Sequence, residues 1–442
     1  MSLGQPVLIV GGGVAGLVAA RVLAQSGRAV ELLEARDRLG GRILEYREPS
    51  WPMPIELGAE FVHGQPEPTL RLLTEAGLSL QAVEERHHWA LARAGDAVAG
   101  SELRELPQFT RRTRELVRPG KQQERDCSAA AFARRAGLEG EDLALFELFV
   151  EGFHAAPLDD VSIRSLAQDA DESDSATPTQ FRVAQGYGAL VEWLATQIGA
   201  EALARIHLQS VVRSVTWQRG SASVDVEQGE RSRQFSAAAL LITVPLGVLA
   251  APRGLGIDFH PQLLQKETAL SECGMAHVVK LVLRFRHQFW EREASPDWEF
   301  LHDPGAAFPT FWRQARGSAQ QITAWAGGPR ARIDSIRWQP SAVRQAIAVL
   351  CRLLRVSTER AMSALIGFHG SAFEHDPFAR GAYSYVRSGG QHVHERLAEP
   401  IDKTLFFAGE ATDGRYPATV AGAIASGERA AKEILNAIPG RA

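Results

Sequence analysis

The spacing of apolar and polar positions predicts that the chain begins with a strand, a helix and a second strand. Val7–Val10 is a continuous apolar run that reads as a buried strand, and an alanine-rich segment with helical spacing follows it. Val30–Leu33 then forms a second strand-like segment, which ends at the acid Glu34. Residues 1–80 are therefore interpreted as a βαβ unit with extensions.

The rest of the chain alternates between helical and strand-like patterns. From about 81 to 200 the spacing of Ala and Leu predicts mostly helix, interrupted by a loop-like acidic stretch at Asp169–Asp174. Further strands are expected at His207–Val215, Ser223–Val226, Leu240–Val244, Val278–Phe285, Ile322–Ala326 and Leu405–Ala408. Further helices are expected at Ala342–Leu354 and Ala418–Ile438.

Composition mainly excludes classes of function. With 442 residues and 45% hydrophobic residues, the chain is long enough for two domains. Its 48 basic and 52 acidic residues nearly balance, and the basic ones are scattered, which argues against nucleic acid as a partner. The most apolar run, 237–251, is too short to span a bilayer, and the first strand begins too early to leave room for a signal peptide. No membrane anchor is predicted.

The cysteines lie far apart and form no CxxC pair. They are Cys127, Cys273 and Cys351, without an adjacent histidine. This pattern predicts no metal site, and it is typical of buried, reduced thiols in a cytoplasmic protein. Nothing in the sequence indicates an oligomeric state.

The turn after the first strand carries the first candidate chemistry. Gly11, Gly13 and Gly16 satisfy G-x-G-x-x-G, which provides a tight turn, backbone approach to a pyrophosphate and close helix packing. The helix behind the turn offers free N–H groups and a positive dipole end to the phosphates. Glu34 lies 18 residues after Gly16, near the roughly 20 expected for an acid that binds a ribose hydroxyl. These residues predict a dinucleotide site.

An arginine–glycine segment extends this fingerprint. Residues 38–42 read Arg-Leu-Gly-Gly-Arg, the pattern R-x-G-G-R. The segment resembles the flavin amine oxidase superfamily, in which it follows the dinucleotide motif. The resemblance implies that Arg42, placed by Gly41, reaches the pyrophosphate of FAD, and that Arg36 lies near the adenosine ribose.

The C-terminal part of the chain resembles the second flavin-binding signature of the same superfamily. Residues 405–412 read Leu-Phe-Phe-Ala-Gly-Glu-Ala-Thr, and residues 416–423 read Tyr-Pro-Ala-Thr-Val-Ala-Gly-Ala. The resemblance implies that the backbone approaches FAD at Gly409 and that Glu410 faces its ribityl–phosphate region. A helix starting near Thr419 and Val420 would direct N–H groups at the flavin pyrimidine.

Further segments are similar to the amine oxidase branch in particular. The segment 56–64 matches one that runs beside the isoalloxazine ring, and its cofactor-binding residues would be Gly58, Ala59 and Glu60. Val212 matches a residue whose backbone holds adenine. In 376–385, Tyr383 matches one wall of an aromatic cage.

The resemblance implies a fold and a cofactor. The expected fold is α/β, with a Rossmann-type (GR2-like) FAD-binding domain and an inserted α+β substrate-binding domain. The cofactor domain would comprise 1–80, 201–262 and 370–442, and the substrate domain 81–200 and 263–369. Covalent-flavin members carry a cysteine where this chain has Ala382, so FAD should be non-covalent. Phe373 stands where the family usually has a tryptophan.

The predicted reaction is the oxidation of a primary or secondary amine to an imine, by hydride transfer to flavin N5 with O2 then reduced to H2O2. Lys280 matches the family lysine that holds a water near N5, and we expect it to assist the reaction with O2. His63 is a candidate for substrate contact or proton shuttling. Tyr383 would form one cage wall, with Thr419 at the opposite position.

Several alternatives remain open at this point. An L-amino-acid oxidase would need an arginine clamp for the substrate carboxylate. Carotenoid desaturases and porphyrinogen oxidases share the N-terminal fingerprint. Histone demethylases have a similar sequence around Tyr383 and Thr419. A non-catalytic FAD-binding scaffold is a further alternative because of Phe373. An NAD-dependent dehydrogenase would explain only the first forty or so residues.

Overall fold

The computed structural model describes residues 6–51, 53–90, 103–123, 125–172, 180–290, 297–316, 319–332, 340–390 and 392–438. Its helices, in chain order, are α1 (Val14–Gln25), α2 (Glu67–Glu75), α3 (Phe109–Val117), α4 (Ala129–Ala136), α5 (Gly140–Glu147), α6 (Ile163–Glu172), α7 (Gly188–Gln197), α8 (Ala200–Leu203), α9 (Leu246–Leu249), α10 (Leu264–Ser271), α11 (Pro340–Leu354), α12 (Thr358–Ala364), α13 (Val393–Ala398) and α14 (Val420–Ala437). No helix of these residues is both long and apolar enough to cross a membrane.

The strands of the same residues, in chain order, are β1 (Val7–Val10), β2 (Val30–Leu33), β3 (Glu45–Tyr46), β4 (Ile55–Glu56), β5 (Phe61–His63), β6 (Leu80–Val83), β7 (His87–Trp89), β8 (Arg104–Glu105), β9 (Gln180–Val183), β10 (Ile206–His207), β11 (Val211–Gln218), β12 (Ser221–Gln228), β13 (Arg231–Ala237), β14 (Leu240–Ile242), β15 (Asp258–His260), β16 (Cys273–Met275), β17 (Val278–Phe285), β18 (Phe300–His302), β19 (Thr310–Arg316), β20 (Ala319–Gly327), β21 (Leu365–Ser371), β22 (Ser384–Val386) and β23 (Leu405–Phe407).

A parallel sheet forms the centre of the dinucleotide end, in the order β10-β2-β1-β14-β23. Three of its strands, β1, β14 and β23, are apolar throughout because helices cover one face and a second sheet covers the other. On the helical face α1 packs against α14, where a Cβ on Gly427 would lie 2.5 Å from the Ala15 carbonyl oxygen. Opposite them, β11, β12 and β13 form an antiparallel sheet whose inner residues share a core with β1 and β23.

The second large unit is a seven-stranded sheet in the order β21-β17-β20-β19-β18-β7-β8. The long helix α11 packs on one face of this sheet and shares its core. The buried strand β17 carries Lys280. The mixed α/β architecture with a parallel sheet confirms the predicted fold class. The predicted domain limits stay a prediction; within 81–200, helix α7 packs in the same core as α1.

The region 81–200 is mostly helical among its described residues, as predicted, but one expectation for it was wrong. The sequence pattern missed the short strands β6, β7, β8 and β9, which lie at or inside its limits and are each two to four residues long. Strands this short give no alternation that a sequence pattern can reveal. The acidic stretch Asp169–Asp174 is not a loop over its first part, since 169–172 complete helix α6; residues 173 and 174 lie outside the described residues.

The other predicted strands and helices are present, most of them with shifted limits. The prediction of one strand at His207–Val215 was wrong, because β10 and β11 are separate strands in different sheets. Strand β11 continues to Gln218, β12 covers Ser221–Gln228, and an additional strand, β13, precedes β14. The C-terminal helix begins at Val420 rather than at Ala418, because Ala418 has a positive φ of 61° that no helix interior allows.

Candidate active site

The glycine turn between β1 and α1 is fixed by contacts with the backbone. Gly11 has φ +111°, and a Cβ there would lie 2.6 Å from Thr243 Oγ1. A Cβ on Gly16 would lie 2.0 Å from the Gly11 carbonyl oxygen, so only glycine lets the helix approach the turn. Gly13 differs, because no atom lies within 4 Å of the position that its Cβ would take.

The N-terminus of α1 therefore opens onto empty space. Gly13 is the N-cap and supplies no side-chain cap, while Val14 and Ala15 line the adjoining cavity. Backbone N–H groups of the first helical turn have no partner within the helix. Together with the helix dipole, they favour a bound anion.

Glu34 closes one end of this region. Its Oε2 accepts from the Gly12 amide at 2.7 Å and its Oε1 from the Arg36 amide at 2.9 Å. The guanidinium of Arg36 is paired with Asp376 at 2.6 Å. Val212 lies beside them on the cavity wall. The predicted adenosine end is thus assembled from segments far apart in the chain.

Arg42 joins the N-terminal motif to the C-terminal one. Its Nη1 donates to Glu410 Oε1 at 2.8 Å and to the Ala382 carbonyl at 2.9 Å. The other oxygen of Glu410 accepts from Ser384 Oγ at 2.6 Å. Gly58 packs against the same segment, because its Cβ would lie 1.9 Å from the Arg42 carbonyl oxygen.

The second helix N-terminus is capped by its own side chain. Thr419 is the N-cap of α14; its Oγ1 accepts from the Gly422 amide at 3.1 Å and donates to the Tyr416 carbonyl at 2.7 Å. Its hydroxyl is therefore committed to the helix. Gly409, with φ +137° and no atom within 4 Å of an added Cβ, lies on the same stretch of wall.

Lys280 lies in a buried cluster of charges. Its ammonium donates to Glu60 Oε2 at 2.8 Å and to the Gly58 carbonyl at 3.1 Å. Glu60 also accepts from Arg182 Nε at 2.8 Å and from Trp312 Nε1 at 3.0 and 3.1 Å. Burial would raise the pKa of Glu60, but the charges of Lys280 and Arg182 hold that pKa below its usual value.

A second carboxyl lies next to this cluster. Glu56 accepts from the Tyr187 amide at 2.7 Å. Burial, reinforced by the negative charge of Glu60, raises the pKa of Glu56 to about 8. Glu56 is therefore protonated at neutral pH and adds no charge to the cluster.

Beyond Lys280 the cavity widens into a chamber, which is the space lined by His63, Phe153, His154 and Tyr383 together with the distal residues described below. The Tyr383 hydroxyl donates to the Phe153 carbonyl at 2.8 Å. Phe153 ends a π-helical turn, Leu148–Phe153, and its ring lies 5.3 Å from the ring of His63. The His63 side chain is exposed to the cavity and His154 is half-buried, but desolvation by the surrounding protein lowers the pKa of both to about 4, so both rings are neutral at physiological pH.

A hydrogen-bonded histidine pair lies at the distal wall of the chamber. His87 Nδ1 is 2.9 Å from His302 Nε2, and His302 Nδ1 is 3.2 Å from Thr310 Oγ1. The His87 ring is sandwiched between Phe109 and Phe300, with centroids 4.6 and 4.4 Å away. His87 Nε2 has no hydrogen-bond partner among the described residues. Burial and the neighbouring His302 hold the pKa of His87 well below its usual value.

Most of the residues described above, though not Gly16, Glu56, Arg182 or Asp376, line one continuous cavity of about 780 Å³. That volume lies in the upper part of the range of ~300–1,000 Å³ typical of ligand sites. The cavity runs from Glu34 past the glycine turn, Gly409 and Lys280 into the chamber. Its shape suits an elongated cofactor with a smaller molecule beyond it.

Comparison with known proteins agrees with this geometry. The family model "Flavin containing amine oxidoreductase" matches residues 14–435. The chain belongs to this family. It is 29% identical to human lysine-specific histone demethylase 2 over 97% of its own length, and it spans about half, 53%, of that relative. It is 28% identical to polyamine oxidase 2 of Arabidopsis thaliana, covering 97% of this chain and 87% of the relative.

Solved structures show the same fold. Putrescine oxidase, in a structure described as wild type bound to putrescine, superposes with a TM-score of 0.79 at 19% identity, covering 98% of this chain and 99% of that one. Cyclohexylamine oxidase from Brevibacterium oxydans IH-35A gives a TM-score of 0.79 at 20% identity over the same shares.

As a flavin-containing amine oxidoreductase, the chain uses FAD, and its residues fit that cofactor. The uncapped N-terminus of α1 and the open space at Gly13 would accept the pyrophosphate. Glu34 and Val212 line the end where an adenosine would lie, and Gly409 and Val420 line the opposite part. The individual roles of these residues stay predictions.

The structure brings the predicted site residues to one cavity. The wall includes Lys280, Tyr383, His63 and Thr419, and also Gly11, Gly13, Glu34, Arg36, Gly41, Arg42, Gly58, Ala59, Glu60, Val212, Gly409, Glu410 and Val420. Gly16 lies behind the turn instead. The sequence analysis missed Arg182, Glu56 and the pair His87–His302. Their partners are far away in the chain, so no local motif marks them.

Proposed function

We propose that this protein is an oxidase of small primary or secondary amines, which yields the imine and passes the electrons to O2 to form H2O2. The observation that carries the proposal is the chamber beside Lys280, whose walls include aromatic rings and the neutral imidazoles of His63 and His154. Such surroundings favour an uncharged amine over an ammonium ion. An amine must lose its N–H⁺ proton before it can give up hydride from the neighbouring carbon.

His63 is suited to orienting the amine. At a pKa of about 4 its ring is a weak base, so above pH 5 it accepts or donates a hydrogen bond without retaining a proton. We therefore assign it substrate contact rather than proton shuttling. The proton released on binding would leave through solvent.

Tyr383 is suited to forming one wall of the reaction site. Its hydroxyl is held by the Phe153 carbonyl, which fixes the plane of the ring. Burial raises the pKa of Tyr383, so the phenol stays neutral. Thr419 offers no second ring and its hydroxyl caps α14, which leaves the predicted opposite wall without an aromatic side chain.

Bound FAD would supply the acceptor for the hydride. We propose that it is held without a covalent bond, since Ala382 occupies the place of the family's cysteine and its carbonyl binds Arg42. A cytoplasmic location is also proposed; Cys127, Cys273 and Cys351, all free, are consistent with it.

Anaerobic mixing with a substrate panel tests this proposal. The FAD-loaded protein would be mixed with monoamines, diamines, L-amino acids and a peptide containing dimethyl-lysine, and the visible flavin band followed. We expect small amines to bleach the band and air to restore it with release of H2O2. Bleaching by amino acids or by the peptide alone would contradict the proposal, as would a fully loaded protein that no amine reduces.

A further inference from the structure

The ammonium of Lys280 is enclosed by partners from other segments. Besides Glu60 and the Gly58 carbonyl, the Trp312 ring lies near it, with its centroid 5.6 Å from Nζ. Lys280 is 1% exposed. An ammonium at such a depth is costly unless an anion is paired with it. Glu60 is therefore what keeps Lys280 charged.

Glu60 is itself held from three sides. Lys280, Arg182 and the Trp312 indole occupy both of its oxygens. Arg182 in turn pairs with Glu299 at 3.2 Å. Two cations and two anions therefore balance, and the Glu60 carboxylate has little freedom to move.

The surrounding charged groups leave this balance intact. Glu56 is neutral below about pH 8, given its raised pKa. Arg284, four residues further along strand β17, is paired with Glu48. Arg313 is paired with Asp297 and Glu299 at the outer edge of the cluster. No uncompensated charge of the described residues thus faces Lys280.

We propose that Glu60 is a positioning residue that fixes the place and the charge of Lys280, and that this pair sets the electrostatic potential of the cavity at the cofactor. The inference rests on the proposed function only in that FAD occupies the cavity. The segment resemblance alone places Glu60 against the cofactor. The geometry indicates a different role for Glu60, because both of its carboxylate oxygens are already bound by Lys280, Arg182 and the Trp312 indole.

Removal of the Glu60 charge has a definite consequence. In Glu60→Gln the amide can still meet Trp312 and Arg182, but Lys280 and Arg182 lose the anion between them. Burial and the like charge then lower the pKa of Lys280 from the usual ~10.4 of a lysine. While it is protonated, the extra positive charge favours the reduced, more negative form of the flavin.

The test is the midpoint potential of bound FAD as a function of pH, measured from pH 6 to 10 by reductive titration with dithionite. Wild type, Glu60→Gln, Lys280→Met and the double variant would be compared. We expect Glu60→Gln to have a higher potential than wild type at pH 6 and a break at the pH where Lys280 loses its proton. That break should disappear in Glu60→Gln/Lys280→Met, whereas any break due to Glu56 would persist there.

A Glu60→Gln curve that superposes on the wild-type curve, with FAD bound, would overturn the proposal. If the variant binds no FAD, unfolding of the apoprotein against pH replaces the potential. A depressed Lys280 pKa makes stability rise with pH, so Glu60→Gln should gain stability relative to the double variant as pH increases. If the stability of Glu60→Gln and that of the double variant changed in parallel with pH, the proposal would also be refuted. Neither measurement uses an amine. The result can therefore be interpreted even if the protein proves not to be an amine oxidase.

Discussion

The two ends of the cavity are built in different ways. At the dinucleotide end the decisive contacts involve backbone, as at Gly16 and Gly58, where an added Cβ would lie 2.0 and 1.9 Å from a carbonyl oxygen. In the chamber the decisive contacts join side chains, such as His87 with His302 and Tyr383 with Phe153. Close backbone contacts allow only glycine at certain positions, so they produce a motif with fixed spacing in the sequence. Contacts between side chains that are distant in the chain produce no such motif.

The electrostatics of the two ends differ as well. At the dinucleotide end Arg36 and Arg42 are each paired with a carboxylate, at 2.6 and 2.8 Å. In the chamber the titratable rings of His63 and His154 are neutral, because desolvation by the surrounding protein lowers their pKa to about 4. These surroundings suit a charged cofactor at one end and, under the proposed function, an uncharged amine at the other.

The largest effect is expected from alanine at two glycines of the same turn. Gly16→Ala places Cβ against the Gly11 carbonyl, so the turn must move; we expect purified protein without flavin and with a lowered melting temperature. Gly13→Ala meets no protein atom, so the apoprotein should be as stable as wild type while FAD binds at least about tenfold more weakly. Flavin absorbance, calorimetry and FAD titration measure these differences. Unchanged FAD affinity in Gly13→Ala would contradict the assignment of this space to the cofactor.

A smaller effect, confined to the chamber, is expected from His87→Phe. The new ring fits between Phe109 and Phe300 but removes both the Nδ1 that is hydrogen-bonded to His302 and the Nε2 that has no partner among the described residues. For substrates with a second polar group, loss of one hydrogen bond of ~1 kcal/mol should lower kcat/KM about five- to tenfold. Monoamines and FAD binding should be unaffected. Steady-state kinetics with a diamine and a monoamine of equal length tests this prediction. An equal loss of kcat/KM for both substrates would show that His87 has a merely structural role.

A further prediction concerns the pH dependence of stability. The raised pKa of Glu56, about 8, means that its contribution to stability is complete below pH ~4.5 and is lost as pH rises to 8. The lowered pKa of His63 and His154 has the opposite sign, so their contribution is complete above pH ~6.5 and is lost towards pH 4.

Urea unfolding at pH 5 to 9 measures this. Relative to wild type, Glu56→Gln should become progressively more stable between pH 5 and 8, because glutamine never releases a proton. The loss of stability towards acid pH that is due to His63 and His154 should be the same in Glu56→Gln and in wild type. A constant difference between the two proteins across this range would show that Glu56 does not titrate there.

The sequence predicted the dinucleotide end in detail for a physical reason. The spacing of Gly11, Gly13 and Gly16 and the acid at Glu34 follow from chain geometry over a few tens of residues. The assignment of Lys280 and Tyr383 to the same cavity came from resemblance, and the structure places both there.

The chamber could not be predicted in the same way. Arg182 reaches Glu60 across 122 positions, and His87 reaches His302 across 215. Pairs so distant depend on which strands become neighbours, here β9 beside β5 and β7 beside β18, and no local pattern expresses that. The Thr419 cap, in contrast, was readable in principle, since a threonine directly before a helical run is a common N-cap.

The strand order of the parallel sheet has a consequence for biosynthesis. β1, near the start of the chain, is separated from β23 only by β14, and α14 packs against α1. The ribosome therefore releases the glycine turn hundreds of residues before the strand and helix that complete its sheet. The predicted contact of α14 with FAD implies that the cofactor is captured only after α14 has emerged, and a chain truncated before residue 405 would expose β14 as the sheet edge, where it could aggregate.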